Sequence, residues 1–113
     1  MKYLYGNLSN YQVRETFKTL HGDIYKLLIY KDETFKTKPF EKDEDYEKFF
    51  IKLLYRLGSL NVIFKYPVLM LKVITLLQAC LIETRKDDFN YAFYRSMILD
   101  AQNCLDMVKS EVI

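Results

Sequence analysis

Apolar residues recur along most of this chain at alternating steps of four and three, the spacing that lines one side of an α-helix with hydrocarbon. Val13, Phe17, Leu20, Ile24 and Leu27 form the first such stripe. Tyr46, Phe50, Leu53, Leu57, Leu60 and Phe64 form a second, and Tyr94, Ile98, Ala101, Leu105, Val108 and Val112 form the last. Between these two lies a more uniformly apolar stretch, FKYPVLMLKVITLLQACLIETRKDD, at residues 64–88. No run of alternating polarity persists, and three Gly and two Pro in 113 residues disfavour a turn-dense β architecture.

The helix ends are written locally. Ser9 reads as an N-cap with Gln12 closing a capping box, and Leu8 is placed to pack on Val13 as a hydrophobic staple. Residues 32–45, DETFKTKPFEKDED, interrupt the pattern with Pro39 and dense charge. They predict a surface connection whose acids, Asp43, Glu44 and Asp45, favour the positive end of a following helix dipole. The second stripe passes straight through Gly58, which is either a weak point inside that helix or its end. Pro67 disfavours helical geometry at Tyr66 and is the better stop. Pro67 also suits the first turn of a third helix, where its missing N–H has no intrahelical partner. Arg85 and Lys86 followed by Asp87 and Asp88 place positive charge at one helix end and negative charge at the next helix start, marking a tight reversal. The prediction is therefore four helices, near 10–31, 44–64, 67–86 and 89–112, each about 30 Å long. Matched lengths and short connections give an all-α, antiparallel four-helix bundle in a single domain spanning residues 1–113.

The apolar stretch is too interrupted to cross a membrane. Only ten uncharged residues separate Lys72 from Glu83, whereas a span needs about 20. A lysine near the centre of a span costs roughly 2.5–3.5 kcal/mol. The stretch reads instead as a buried helix, apolar on nearly every face, which a bundle of this size covers only if another chain packs on its outer side.

Composition narrows the picture. Half of the residues are hydrophobic and 28% are charged, which excludes the signature of disorder. The net charge of +2 gives no reason to expect strong polyanion binding, although residues 1–40 carry seven Lys or Arg against four acids. The start, MKYLYGNLSNYQ, lacks the pattern of a targeting signal, so the expected location is cytoplasmic. Phe, Tyr, Met, Ile, Asn and Lys, whose codons are AT-rich, make up 48 of the 113 residues. That bias points to a low-GC bacterium or its mobile elements.

Candidate chemistry is sparse. His21 is the single histidine and Cys80 and Cys104 are the only thiols, so no metal site is expected. The predicted reversal offsets the two cysteines by roughly 15 Å along the bundle, too far for a bridge, and both read as reduced core thiols. The carboxylates lack the Glu-x-x-His spacing of di-iron bundles. His21 has Glu15 and Asp23 nearby in sequence, but no second unusual polar residue marks a cleft for acid–base work. No catalytic residue, cofactor, metal or small-molecule substrate is expected, and the chain reads as a non-enzyme.

Two features point to binding. Residues 25–42 interleave Tyr25, Lys26, Tyr30, Lys31, Phe35, Lys36 and Lys38, the composition of a contact with single-stranded nucleic acid or an anionic membrane surface. Asp32, Glu33 and Glu41 dilute it. The 18 Tyr and Phe residues, in turn, exceed what so small a core uses. With the apolar third helix they predict a protein–protein interface near Phe64, Tyr66, Met70, Tyr91 and Tyr94. The expected function is protein–protein interaction, as a homodimer or an accessory subunit of a larger assembly. The alternative, resting on residues 25–42, is a small basic bundle acting at an anionic membrane surface or on nucleic acid, in the manner of bacterial immunity proteins, an analogy of size and fold.

Overall fold

The computed structural model describes residues 2–3, 6–7, 9–64 and 67–112, with side chains over 9–63 and 68–111. Four helices dominate it: α1 (Asn10–Lys31), α2 (Asp43–Phe64), α3 (Pro67–Thr84) and α4 (Tyr91–Val112). Ahead of them, β1 (Lys2–Tyr3) and β2 (Gly6–Asn7) pair antiparallel, with Lys2 opposite Asn7 and Tyr3 opposite Gly6. Two-residue strands carry no readable alternation, so no periodicity marks this pair in advance.

The caps show why the helices begin where they do. Gln12 N–H donates to Ser9 Oγ at 3.1 Å and Ser9 N–H to Gln12 Oε1 at 2.9 Å, the predicted capping box. The proposed staple residue Leu8 lies outside the described residues. The α2 helix starts on Asp43, one residue earlier than expected, with Asp43, Glu44 and Asp45 in its first turn, and it continues through Gly58 to Phe64. The α3 helix stops at Thr84, short of the predicted Lys86. There the Arg85 and Lys86 N–H groups turn back to the Ile82 and Glu83 carbonyls three residues earlier, tightening the chain into the reversal. Asp87 and Asp88 sit in that turn and do not open α4. Asn90 caps α4 instead, its Oδ1 accepting from Phe93 N–H at 3.1 Å.

The helices form a closed ring in which each packs on its chain neighbours and α4 returns to α1. The tightest pair is α3 with α4 and the loosest is α1 with α2. Cross-links show neighbours running antiparallel. The Tyr94 hydroxyl of α4 reaches the Leu27 carbonyl near the end of α1 at 2.6 Å, while Gln102 Nε2 reaches the His21 carbonyl at 3.4 Å. Arg85, just past α3, donates to Glu47 at the start of α2 at 2.9 Å. The molecule is an antiparallel four-helix bundle measuring 44 × 25 × 21 Å. Its core is built from Val13, Phe17, Leu20, Ile24 and Leu27 of the first stripe, Tyr46, Phe50, Leu53 and Leu57 of the second, and Tyr94, Ile98, Ala101, Leu105 and Val108 of the last, together with Met70, Val73, Leu77, Cys80 and Leu81 of α3. Among the described residues no helix is long and apolar enough to cross a membrane.

Candidate functional site

Burial sorts the predicted residues sharply. Met70 and Tyr94, expected at an interface, are wholly buried inside the bundle. They belong to the core because Met70 falls in line with Val73 and Leu77, and Tyr94 opens the α4 stripe that faces the other three helices. Tyr91 is half-buried, its ring 6.3 Å from that of Tyr94. Tyr66 and the side chain of Phe64 lie outside the described residues.

At the α1–α2 end of the core, two tyrosines form a pair that the sequence reading missed. Tyr46 and Tyr94 are each the fourth residue of their helix, and α2 and α4 run parallel across the bundle diagonal, so the two rings meet at equal depth. Their hydroxyls lie 2.7 Å apart. Since Tyr94 donates to the Leu27 carbonyl, Tyr46 donates to Tyr94. Burial drives both phenols well above their ordinary pKa. Cys80 Sγ lies 3.9 Å from the Tyr94 carbonyl, and burial, helped by the nearby Glu83 charge, pushes its thiol up to about 12. Both cysteines are free and buried. Cys104 lies ten residues past Tyr94 on α4, about 15 Å further along the axis. A protonated, enclosed thiol is a poor nucleophile.

The basic and aromatic residues of 25–42 are largely occupied with the fold. Lys26 Nζ lies 3.9 Å from Asp23 and 5.7 Å from the Phe49 ring. Lys31 Nζ sits among three rings, at 5.5 Å from Tyr30, 5.1 Å from Tyr46 and 5.7 Å from Phe89. Lys38 donates to the Ile29 carbonyl at 3.3 Å and to that of Asp32, closing the end of α1. Tyr30 stacks on Tyr46 with centroids 4.7 Å apart and donates to Asp43 at 2.6 Å. Burial, with the Asp43 carboxylate, raises its pKa to about 12. Thr34 donates twice to Asp32, which holds that carboxyl below its ordinary range. Of the seven residues singled out, Tyr25, Lys26, Phe35, Lys36 and Lys38 are exposed, and Tyr30 and Lys31 are half-buried.

The sequence also concealed Asp23, a nearly buried carboxylate held by Arg56 across the α1–α2 seam. Beside that pair lies an open groove of about 470 Å³ lined by Thr16, Thr19, Arg56, Ser59 and Leu60. A second groove of about 670 Å³ separates α1 from α4 and is lined by Arg14, Lys18, His21, Tyr25 and Lys109. There His21 Nε2 lies 3.7 Å from Asp106. The neighbouring hydroxyl, Ser110, donates to the Asp106 backbone carbonyl at 3.1 Å, so the histidine has no nucleophile in hand. Among the described residues no group of three or more His, Cys, Asp or Glu side chains is placed to hold a metal.

What the fold leaves conspicuously uncovered is hydrocarbon. On α2, Ile51, Tyr55 and Val62 point outward, and on α3 so do Val68, Leu71 and Ile82, with Tyr55 75% and Val68 79% exposed. These two sets adjoin. With Glu47 beside Arg85, the antiparallel register puts Ile51 level with Ile82, and Val62 level with Val68 and Leu71. Helical angles turn both sets toward the same outer side of the α2–α3 seam. Gly58 lies within the α2 half, and a Cβ placed on it would meet nothing within 4 Å. The result is an apolar face two helices wide, with a notch at Gly58. The chain matches no protein-family model, no curated protein and no solved structure at a significant level.

Proposed function

We propose that this chain is a non-enzymatic protein that acts by binding another protein through the outer face of α2 and α3, as a homodimer or as an accessory subunit of a larger assembly. The observation that carries this reading is the exposure of Ile51, Tyr55, Val62, Val68, Leu71 and Ile82 on one outer side of the α2–α3 seam, broken on α3 by Thr75 and Gln78. Monomeric proteins rarely leave such a surface open beyond a few hundred Å². The enclosure of Tyr46, Tyr94 and Cys80, which keeps all three protonated, supports the same reading, because none of them is then an activated nucleophile. A Val68→Asp/Leu71→Asp variant tests it. The wild-type chain should either associate in solution or bind an environment-sensitive apolar dye while folded, and the variant should lose whichever of the two it shows. A folded wild-type chain that does neither overturns the reading.

A second reading, an anionic partner such as nucleic acid or an anionic membrane surface, now draws on the α1–α4 groove more than on residues 25–42. Arg14, Lys18 and Lys109 line that groove together with the acids Glu15 and Asp106, and none of the three cations takes part in an ion pair among the described residues. Binding to RNA, DNA or anionic vesicles that falls steeply with salt and is lost in an Arg14→Ala/Lys18→Ala variant would favour it.

A further inference from the structure

The exposed residues of α2 are spaced in a way that reads the same in both directions. Ile51, Tyr55, Gly58 and Val62 follow one another at steps of four, three and four. They share a strip about 60° wide on the outside of the helix. A second α2 laid antiparallel across this strip, with a two-fold axis passing between Arg56 and Leu57, brings Ile51 onto the partner copy's Val62 and Tyr55 onto the partner copy's Gly58. Each contact occurs twice, as an isologous interface requires.

The chemistry at each pairing matches. Two β-branched aliphatics meet at the ends. In the middle, an exposed tyrosine ring meets the one position of the strip that has no side chain and open space above its Cα. A glycine inside a helix destabilises it relative to alanine, and nothing in the packing of the single chain calls for one at Gly58. Close approach of a second backbone or a ring supplies the missing reason. The same two-fold axis turns α3 end for end, so Ile82 of one copy falls at the level of the other copy's Val68 and Leu71. No carboxylate interrupts α2 between Tyr55 and Val62.

From this spacing we infer that the partner is a second copy of the chain, docked through α2 against α2 in antiparallel register with α3 at the flank. The inference rests on the reading of the α2–α3 face as a protein interface and adds the identity and register of the partner.

A charge exchange tests the register. Sedimentation or light scattering across a concentration series should show the wild-type mass rising from 13.6 kDa toward twice that value. Ile51→Lys alone and Val62→Glu alone should each weaken association at least tenfold. The double variant should recover much of it, because each new lysine then faces the partner copy's new glutamate. Gly58→Gln should weaken association by filling the notch. Circular dichroism must show unchanged helix in every variant for the comparison to count. If the single variants dissociate and the double stays dissociated, the antiparallel register is wrong while the face remains an interface. A wild-type dimer indifferent to all four variants moves the interface elsewhere and overturns both readings. A wild-type monomer throughout overturns the second copy as partner.

Discussion

At the scale of single residues, the buried hydroxyl pair ranks positions by what each substitution leaves behind. Tyr94 both accepts from Tyr46 and donates to the Leu27 carbonyl, whereas Tyr46 only donates. Tyr94→Phe therefore strips Tyr46 of its acceptor in a dry core and should destabilise the fold by about 1–3 kcal/mol. Tyr46→Phe removes one bond and orphans no donor, and should cost about 0.5–1.5 kcal/mol. The Tyr46→Phe/Tyr94→Phe double variant should cost less than the two added, since it removes both partners together. Urea denaturation of the three variants checks this order, and equal losses for the two single changes would contradict the donor assignment. Asp23 obeys the same logic. With Arg56 replaced by Met, the one cation left to its carboxylate among the described residues is Lys26 at 3.9 Å. Arg56→Met should therefore destabilise the protein more than Asp23→Leu/Arg56→Met, because a charge left unpaired in a buried place costs more than an apolar replacement of the pair.

At the scale of the helices, Gly22 and Gly58 stand inside α1 and α2, and a Cβ at either would meet nothing within 4 Å. Alanine at each should raise stability by about 0.5–1 kcal/mol, read as a higher unfolding midpoint measured at concentrations where the chain is monomeric. A drop at either site would mean that the helix needs the glycine for reasons its packing does not reveal. The helices themselves were legible because each stripe repeats over five or six residues, and the α1 box was legible because both its bonds are local. The end of α3 was not, since three-residue hydrogen bonds and the Asn90 cap overrode the charge pattern at Arg85–Asp88. That Met70 belongs to the core was hidden for a related reason. Where α3 is apolar on every side, periodicity does not say which side faces in, and only its neighbours in the bundle decide that Met70 is covered and Val68 is not. The outer strip of α2 did carry a readable signal, a second set of apolar residues at helical spacing opposite the first, but the core stripe on the same helix masked it.

At the scale of the whole molecule, the groups that burial perturbs most are all neutral acids, and this sets the pH limit of the fold. Cys80 rises from 9.0 to about 12, and Tyr46 and Tyr94 rise from 10.0 in the same direction. Below pH 9 both the native and the unfolded chain hold these protons, so stability is untouched. Above pH 9 for the thiol, and above pH 10 for the phenols, the unfolded chain releases protons that the native state retains. Each group then withdraws about 1.4 kcal/mol per pH unit until its native value is reached. Acting together on a stability of order 5–10 kcal/mol, the three groups should unfold the bundle within about two units above pH 10. The transition should be cooperative, because Tyr46 and Tyr94 share one hydrogen-bonded contact and ionise only when it opens. Far-ultraviolet circular dichroism and tyrosinate absorbance, followed together against pH, check this: part of the tyrosinate signal should appear only as helix is lost. Tyrosinate absorbance that reaches its full value while the helix is intact would show that solvent base reaches the pair in the folded chain, and that the core around Leu27 is not closed.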